Sequence, residues 1–456
     1  MNQLSPPVPA PLLGLDDPSL LRDELLSEIF AASAALTPQA RAATFGETSV
    51  SYGELAARAD RVAAALAAKG IGRGAFVGLW MSRSLDLHVA LLGILRAGAA
   101  YIPFDTDAPA DRVAECLSDC SAAAIIVDAV TAGGVETPLP AQMLLLPALL
   151  DQAPDAAPPD LRALGAHSAD PAYAIYTSGS TGKPKSIVIS HSNICHYLRA
   201  ANTLYGIQAS DVVFQGASVA FDLSLEEIFV PYLVGASLWI AGRQTLAEAE
   251  QLPDVLTQAG ITVLDTVPTL LGLLPRDVPS LRVIILGGEA CPPAVVDRWS
   301  RPGRRIFNSY GPTEATVVAT MAEVVPGETV TIGKPIPNYV CWVVDDSLTP
   351  VAPGVTGELL IGGPGVAAGY LGRPELTAEK FIANPWDRDG KAPILYRSGD
   401  AVNQDHNGNL VFHGRIDDQV KIRGFRVELG EIEARLAALP GITQAAVSLR
   451  TDDGIE

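Results

Sequence analysis

The run Tyr176–His191, YTSGSTGKPKSIVISH, sets two glycines, several hydroxyls and two lysines between apolar segments. Gly179 and Gly182 permit positive φ and close backbone approach, and Thr177, Ser178, Ser180 and Thr181 add hydroxyl donors, so such a loop can cradle a polyphosphate. Lys183 and Lys185 would supply charge-assisted contacts to phosphate oxygens, with Pro184 stiffening the space between them. On composition alone the run serves equally well as a solvated Gly/Ser hairpin. It is not the GxxxxGK phosphate loop, because Thr177 stands where that pattern requires Gly.

Other residues with chemical potential sit at turns. Gly311 and Pro312 in NSYGPTE make a tight turn that can present Tyr310 as a flat stacking face, with Thr313 and Glu314 beside it. Taken singly, they read as a surface Tyr and a surface Glu. In ILGGEA, Ile285–Ala290, two glycines follow an apolar run, where backbone can approach a planar ligand or simply turn at a strand end. His191 and His196 lack an evident acid or base partner and are read as core or solvated histidines.

Such residues need rigid elements behind them. From Tyr52 to Ile102 the pattern alternates between an Ala-rich amphipathic helix (55–69), a β-like AFVGLW, a second helix (85–97) and AAYIPF, which predicts a parallel sheet covered by helices. Strand-like runs return at ITVLDTV, LRVIILGG and CWVVDD. From Thr331 onward Gly/Pro turns separate short strands, indicating a smaller β-rich unit. The Pro-rich opening cannot propagate a helix, so residues 1–20 are expected to be a flexible tail.

The 456 residues, 48% of them apolar, suffice for a large core of two or three domains. A net charge of −19 disfavours nucleic acid and anionic lipid as partners and favours small ligands. Five scattered Cys, without His neighbours spaced for zinc, fit reduced buried thiols. The N-terminus lacks a signal-peptide pattern, and Arg96 interrupts the longest apolar run before it reaches spanning length, so the expected location is cytoplasmic, with no membrane segment in this chain.

Further motifs follow TSGSTGKPK in its wake or precede it: SYGELAARA at 51, LRAGAAYIPFD at 95, FDLSLEEIF at 221, NSYGPTEATV at 308, GELLIGGPGVAAGYLGRPELT at 357, YRSGDAV at 396 and GRIDDQVKIRGFRVELGEIE at 414. Together they resemble the adenylate-forming, AMP-binding superfamily. The wording is closest to the adenylation domains of nonribosomal peptide synthetases, over roughly residue 25 to the end. The resemblance implies an α/β fold: a large N-terminal core of two parallel-sheet α/β subdomains plus a β-rich subdomain, over residues 21–413. Residues 414–456 would begin a small C-terminal lid, incomplete here.

The same resemblance implies that ATP and Mg²⁺ are used, with phosphopantetheine on a partner carrier protein or domain as the acceptor. Carried over residue by residue, the nucleotide contacts are Thr177, Ser178, Gly179, Ser180, Thr181, Gly182, Lys183, Gly288, Glu289, Ala290, Asn308, Ser309, Tyr310, Gly311, Thr313, Glu314, Asp400 and Arg415. Within that set Tyr310 would stack on adenine, Asp400 would accept from ribose, and Glu314 would ligate the metal. Thr181, Lys183, Lys185 and Glu314 are the expected catalytic residues, and Asp417 matches the hinge about which the lid turns. Ser186 and Ser398 depart modestly from the usual Gly and Thr.

Substrate choice follows from the pocket positions. Phe221 and Asp222 open the set, Asp222 matching the residue that holds an α-ammonium. Leu223, Glu226, Asp265, Ile285, Gly287, Ser309, Val317 and Val318 complete it. Two extra carboxylates in a small, apolar lining make sense if a second cation enters. The expected substrate is therefore a diamino acid: lysine or β-lysine first, then ornithine or 2,4-diaminobutyrate. The alternatives are an acyl- or aryl-CoA ligase, and a truncated nucleotide-binding pseudoenzyme. The stretch from Arg415 to Glu456 is too short for the usual lid, and no Lys follows Lys421 to serve as the family's bridging lysine. Ligand binding is accordingly expected to survive, with adenylation weak.

Overall fold

A computed structural model describes residues 9–177, 184–417, 419–422, 425–437, 439, 441–442 and 444–450. Two mixed α/β units form the bulk. In the first, strands β1 (Phe76–Trp80), β2 (Ala100–Phe104), β3 (Ala124–Val127), β4 (Gln142–Leu145), β5 (Pro171–Thr177) and β6 (Lys185–Ser190) run in the order β4-β3-β1-β2-β5-β6. All pairs are parallel except the β5/β6 hairpin. Helices α1 (Tyr52–Ala68) and α2 (Leu85–Arg96) pack against each other. Ser51 and Glu54 close a reciprocal capping box on α1, so the helix starts three residues earlier than its apolar period indicates. Helix α3 (Ala110–Asp119) follows β2.

The second sheet is nine-stranded, centred on β7 (Val212–Gln215), β8 (Ser237–Ile240), β9 (Val263–Thr266), β10 (Val283–Leu286), β11 (Arg305–Tyr310) and β12 (Thr320–Glu323). Its core order is β12-β11-β10-β9-β7-β8, and the early strand Arg41–Phe45 joins β8 in parallel. The interior strands are buried on both faces, so β10 reads as an unbroken Val/Ile/Leu run, while β9 ends on the buried polar residues Asp265 and Thr266. Between the sheets lie α4 (His191–Tyr205) and α5 (Leu223–Val234), and α5 is buried from Leu223 through Tyr232. A helix covered on every side has no solvent face on which to place Glu226 and Glu227.

A third, antiparallel sheet contains β13 (Val340–Val344), β14 (Gly357–Gly362), β15 (Ile394–Gln404) and β16 (Leu410–Arg415), in keeping with the Gly/Pro punctuation of that region. The expected tail needs correction. Leu12–Leu13 pairs with β13, Leu12 and Leu20 enter the core, and Asp17 and Asn338 exchange hydrogen bonds, so the chain is tied down from Leu12 onward. Apolar side chains outweigh the Pro content, because pairing at a sheet edge needs no helix. The two-stranded ribbon β17 (Gln419–Ile422) and β18 (Phe425–Glu428), followed by α6 (Leu429–Ala437), begins past the third sheet. The break falls after Arg415, slightly later than the expected 413/414 boundary, and Asp417 lies in it. Reciprocal ion pairs, Arg112–Glu431 and Arg435–Glu115, seat α6 on α3.

His191 and His196 are core residues: His191 Nδ1 accepts the Leu26 N–H and His196 Nε2 meets the Asn338 amide. Burial lowers both to about 4, so they are neutral near pH 7. All five thiols are unpaired, and among the described residues no helix is long and apolar enough to cross a membrane.

Candidate active site

Two cavities share a wall at the C-terminal ends of β10 and β11, the edge at which open α/β sheets gather ligands. The first is lined by Phe221, Asp222 and Leu223 at the start of α5, Gly287 and Gly288 after β10, Ser309 through Thr313, Val317, Val318, Asp400 and Arg415. The second and roomier one is walled by Gly288, Glu289, Ala290, Asn308, Ser309, Tyr310, Gly311 and Phe412. Close backbone approach builds the partition. A Cβ on Gly287 would lie 2.7 Å from Ser309 Oγ, and one on Gly311 would lie 2.5 Å from the Val317 carbonyl.

Asp222 occupies the N-cap of α5 yet makes no side-chain cap hydrogen bond. An Asp there ordinarily caps the helix; here it is 6% exposed and faces the cavity. Opposite, Thr316 and Val317 hold φ of 60° and 66°, costly for β-branched residues. Thr316 Oγ1 donates to the Gly365 carbonyl at 2.6 Å and so ties this wall to the third sheet's loops.

The floor differs from expectation. Glu226, Asp265 and Ile285 do not line the open cavity; they lie behind it, Glu226 and Asp265 each 3% exposed and Ile285 2%. The cause is strand register, which pairs Asp265 with Ile285 and turns both toward α5. Tyr197 and Tyr205 hydroxyls both donate to Glu226 Oε2, while Glu226 Oε1 and both Asp265 oxygens have no hydrogen-bond partner. The two carboxyl groups lie close enough to share a proton, a contact that raises Asp265 and lowers Glu226. Burial and the Glu226 charge push Asp265 well above the carboxylate range, and burial also raises Glu226.

At the mouth of the first cavity, beside the wall it shares with the second, Tyr310 hydroxyl donates to Asp400 Oδ2, and Arg415 Nη1 donates to Asp400 Oδ1 at 3.1 Å. Ser398 Oγ accepts the Asp400 N–H at 3.0 Å and donates to the Leu359 carbonyl, so Ser at this position supports the Asp directly. Arg415 also grips Asp417 through Nε and Nη2. Asn308 Nδ2 is held by the Thr331 carbonyl, and Glu289 accepts from Thr269.

The hairpin β5/β6 sets Thr177 opposite Lys185. Ser178, Gly179, Ser180, Thr181, Gly182 and Lys183 lie outside the described residues. Lys185 Nζ is 4.0 Å from Glu314 and 5.1 Å from the Tyr370 ring centre, and Tyr370 hydroxyl donates to Glu314 Oε1 at 2.7 Å. Both charged partners are buried. Tyr370, Tyr197, Tyr205 and Thr316 escaped sequence reasoning. The first three read as ordinary core aromatics, and only their hydroxyl partners, distant in sequence, give them a second meaning.

A planar-base-sized space joined to a small acid-lined one, with a buried Lys–Glu pair nearby, suits an enzyme that couples a nucleotide to a small acid. The sequence pattern of the family described as AMP-binding enzyme matches residues 30–371, and the chain belongs to that family. It is 48% identical over 465 residues to a delta-poly-L-ornithine synthetase of Acinetobacter baumannii (strain AB307-0294), the match taking in 100% of this chain and 34% of that protein. It is 40% identical over 424 residues to novobiocin biosynthesis protein H of Streptomyces niveus, covering 90% of this chain and 69% of that protein. Among solved structures, an artificially fused adenylation–PCP di-domain of a nonribosomal peptide synthetase from Klebsiella oxytoca superposes with a TM-score of 0.82 at 28% identity, over 93% of this chain and 85% of that one. The chain thus spans about a third of the polyornithine synthetase it matches. Its fold is that of peptide-synthetase adenylation domains, and its class is the ATP-dependent adenylate-forming ligases.

Proposed function

We propose that this domain activates a diamino acid with ATP, forming an aminoacyl-adenylate and pyrophosphate, for transfer to the phosphopantetheine thiol of a carrier protein or domain. The observation that carries the choice of acid is the vertical arrangement of carboxylates: Asp222 at the cavity wall, with Glu226 four residues on along the same helix and Asp265 facing it from β9. Four helical residues span about 6 Å, comparable to the separation of the two amino groups in an extended ornithine or lysine. The zwitterion's α-ammonium would meet Asp222 and its second ammonium the deeper acids. The open cavity stops short of those acids, so the ligand opens the last stretch by side-chain rotation. The name of the polyornithine synthetase relative supports the same class.

Adenylation requires the substrate carboxylate to attack the α-phosphorus in line while pyrophosphate departs, and two anions must be brought together. The carboxylate is already ionised at neutral pH, so the protein's work is positioning and charge neutralisation. Lys185 would neutralise phosphate oxygens, Asp400 and Arg415 would fix the ribose, and the Tyr310 ring would cover the base. Mg²⁺ fits Glu314: among the described residues no three His, Cys, Asp or Glu gather into a cage, and Mg²⁺ commonly takes one or two carboxylates plus substrate phosphates. When bound it would screen the phosphate charge. Replacing Tyr370 by Phe is expected to weaken MgATP binding about tenfold by freeing the Glu314 carboxylate to rotate, with metal-free ATP unaffected. Titrating MgATP, and ATP with chelator, into both proteins measures this.

Isothermal titration with a non-hydrolysable ATP analogue present tests the substrate reading. Lysine, β-lysine, ornithine and 2,4-diaminobutyrate are compared with norleucine, leucine and phenylalanine. At least one diamino acid is expected to bind about 100-fold or more tighter than norleucine, which leaves the buried acids unpaired. Binding of leucine or phenylalanine with none of any diamino acid overturns it.

A further inference from the structure

Glu226 and Asp265 are not equivalent, and the difference lies in what surrounds each. From α4, Tyr197 and Tyr205 both direct hydroxyl protons at Glu226 Oε2. A hydroxyl pair of this kind solvates a carboxylate and stabilises its charge. Asp265, 3% exposed, receives no hydroxyl from either tyrosine; the neighbouring Thr266 N–H lowers it only against the larger raising effects of burial and Glu226. Among the described residues no Lys or Arg is a cause of the Glu226 shift. The neighbouring Glu227 on α5 is engaged elsewhere, accepting the Gly216 and Ala217 N–H groups near Arg83; burial raises it to about 8, and when ionised it pushes Asp265 further up. Asp222 is the remaining acid, one helical turn away at the cavity wall. Two like charges facing each other in a dry site without a cation cannot both persist.

We propose that Glu226 and Asp265 work as a single-charge pair, with Glu226 the anion held by Tyr197 and Tyr205, and Asp265 the protonated member that contributes a neutral hydrogen-bonding group to the incoming ammonium. This rests on the diamino-acid reading above and goes beyond it by dividing the labour. One cation meeting one anion leaves the filled pocket neutral, whereas a doubly ionised pair would retain a buried negative charge. Tyr197 and Tyr205 are then positioning residues for specificity: they touch Glu226, and Glu226 meets the ligand. Direction of titration agrees with the assignment, since burial and the Glu226 charge raise Asp265, while Asp265 first and then the two tyrosines lower Glu226 against the effect of burial.

The assignment predicts unequal isosteres. Asn reproduces a protonated Asp, so Asp265→Asn is expected to keep binding of the preferred diamino acid within about fivefold of the parent. Glu226→Gln removes the pair's one charge and is expected to lose about 100-fold or more, with norleucine binding little changed. Tyr197→Phe and Tyr205→Phe leave Glu226 easier to protonate, so the acid limb of the pH profile for diamino-acid binding moves to higher pH, while the norleucine profile does not move. A further readout needs no ligand. Folding raises Asp265 above its unfolded value, so its contribution to stability is fully present at low pH and is lost as pH rises toward the folded value. Asp265→Asn should therefore flatten the decline of the unfolding midpoint with rising pH.

Calorimetric titration and thermal unfolding of these four variants and the parent decide the matter. If the parent selects a diamino acid but Asp265→Asn loses as much as Glu226→Gln, or the tyrosine variants leave the acid limb in place, the single-charge pair is wrong and the substrate reading stands. If the parent binds norleucine as well as every diamino acid, the reading beneath it falls too.

Discussion

Asp222→Ala is expected to abolish useful amino-acid binding while leaving ATP affinity within about twofold of the parent. Truncating one member of a buried charge pair typically costs about 2–5 kcal/mol, which is roughly 30-fold to several-thousand-fold in Kd. The site argues for the upper half of that range. Asp222 sits at a helix start without capping it, so its removal does not unravel α5. Its carboxylate is directed into the cavity that Phe221, Gly287 and Val318 otherwise make small and apolar. Titrations of amino acid and of ATP analogue into the same variant separate the effects. Equal weakening of both ligands would mean that Asp222 supports the fold rather than the zwitterion.

The second large effect is expected at Asp400. Its carboxylate joins Tyr310 to Arg415 and is itself 3% exposed, so Asp400→Ala takes away the acceptor of a buried tyrosine hydroxyl and one of the guanidinium's anchors. Breaking a buried pair costs about 3–5 kcal/mol, and Arg415 retains Asp417 and the Ser398 carbonyl, which places the stability loss near the lower figure. ATP affinity should fall about 100-fold or more, because a ribose acceptor and the orientation of Tyr310 are lost together. Asp417→Ala, at a carboxylate 39% exposed, should change stability by less than about 1 kcal/mol. Comparable losses at both positions would show that Arg415, not Asp400, organises the nucleotide side.

Much of this molecule was readable from its chain, and the unread parts have identifiable causes. Alternation of helical and extended periods from Tyr52 to Ile102 gave the first parallel sheet to within a few residues, because one buried face per helix and two per strand leave distinct patterns. Strand order was not readable: Arg41–Phe45 completes a sheet whose other parallel strands begin at Val212, a pairing fixed by packing of the two units. Leu12 looked like tail because proline content says what a segment cannot be, not what it can pair with. At the site, Asp222, Gly287, Ser309, Val317 and Val318, chosen by motif spacing, line one cavity. Glu226 and Asp265 were identified by type, and their depth was not, since depth depends on how α5 rests against β9. Tyr197, Tyr205 and Tyr370 had no signal at all, for a hydroxyl's partner lies across the fold.

The central claim is that one diamino acid spans from Asp222 to the Glu226–Asp265 pair beside a bound nucleotide. A crystal structure with the tightest-binding diamino acid and a non-hydrolysable ATP analogue tests it most directly. The account predicts the α-ammonium at Asp222 and the second ammonium within hydrogen-bonding distance of Glu226 Oε1. A side chain turned out toward solvent, with the two buried acids still untouched, would contradict it.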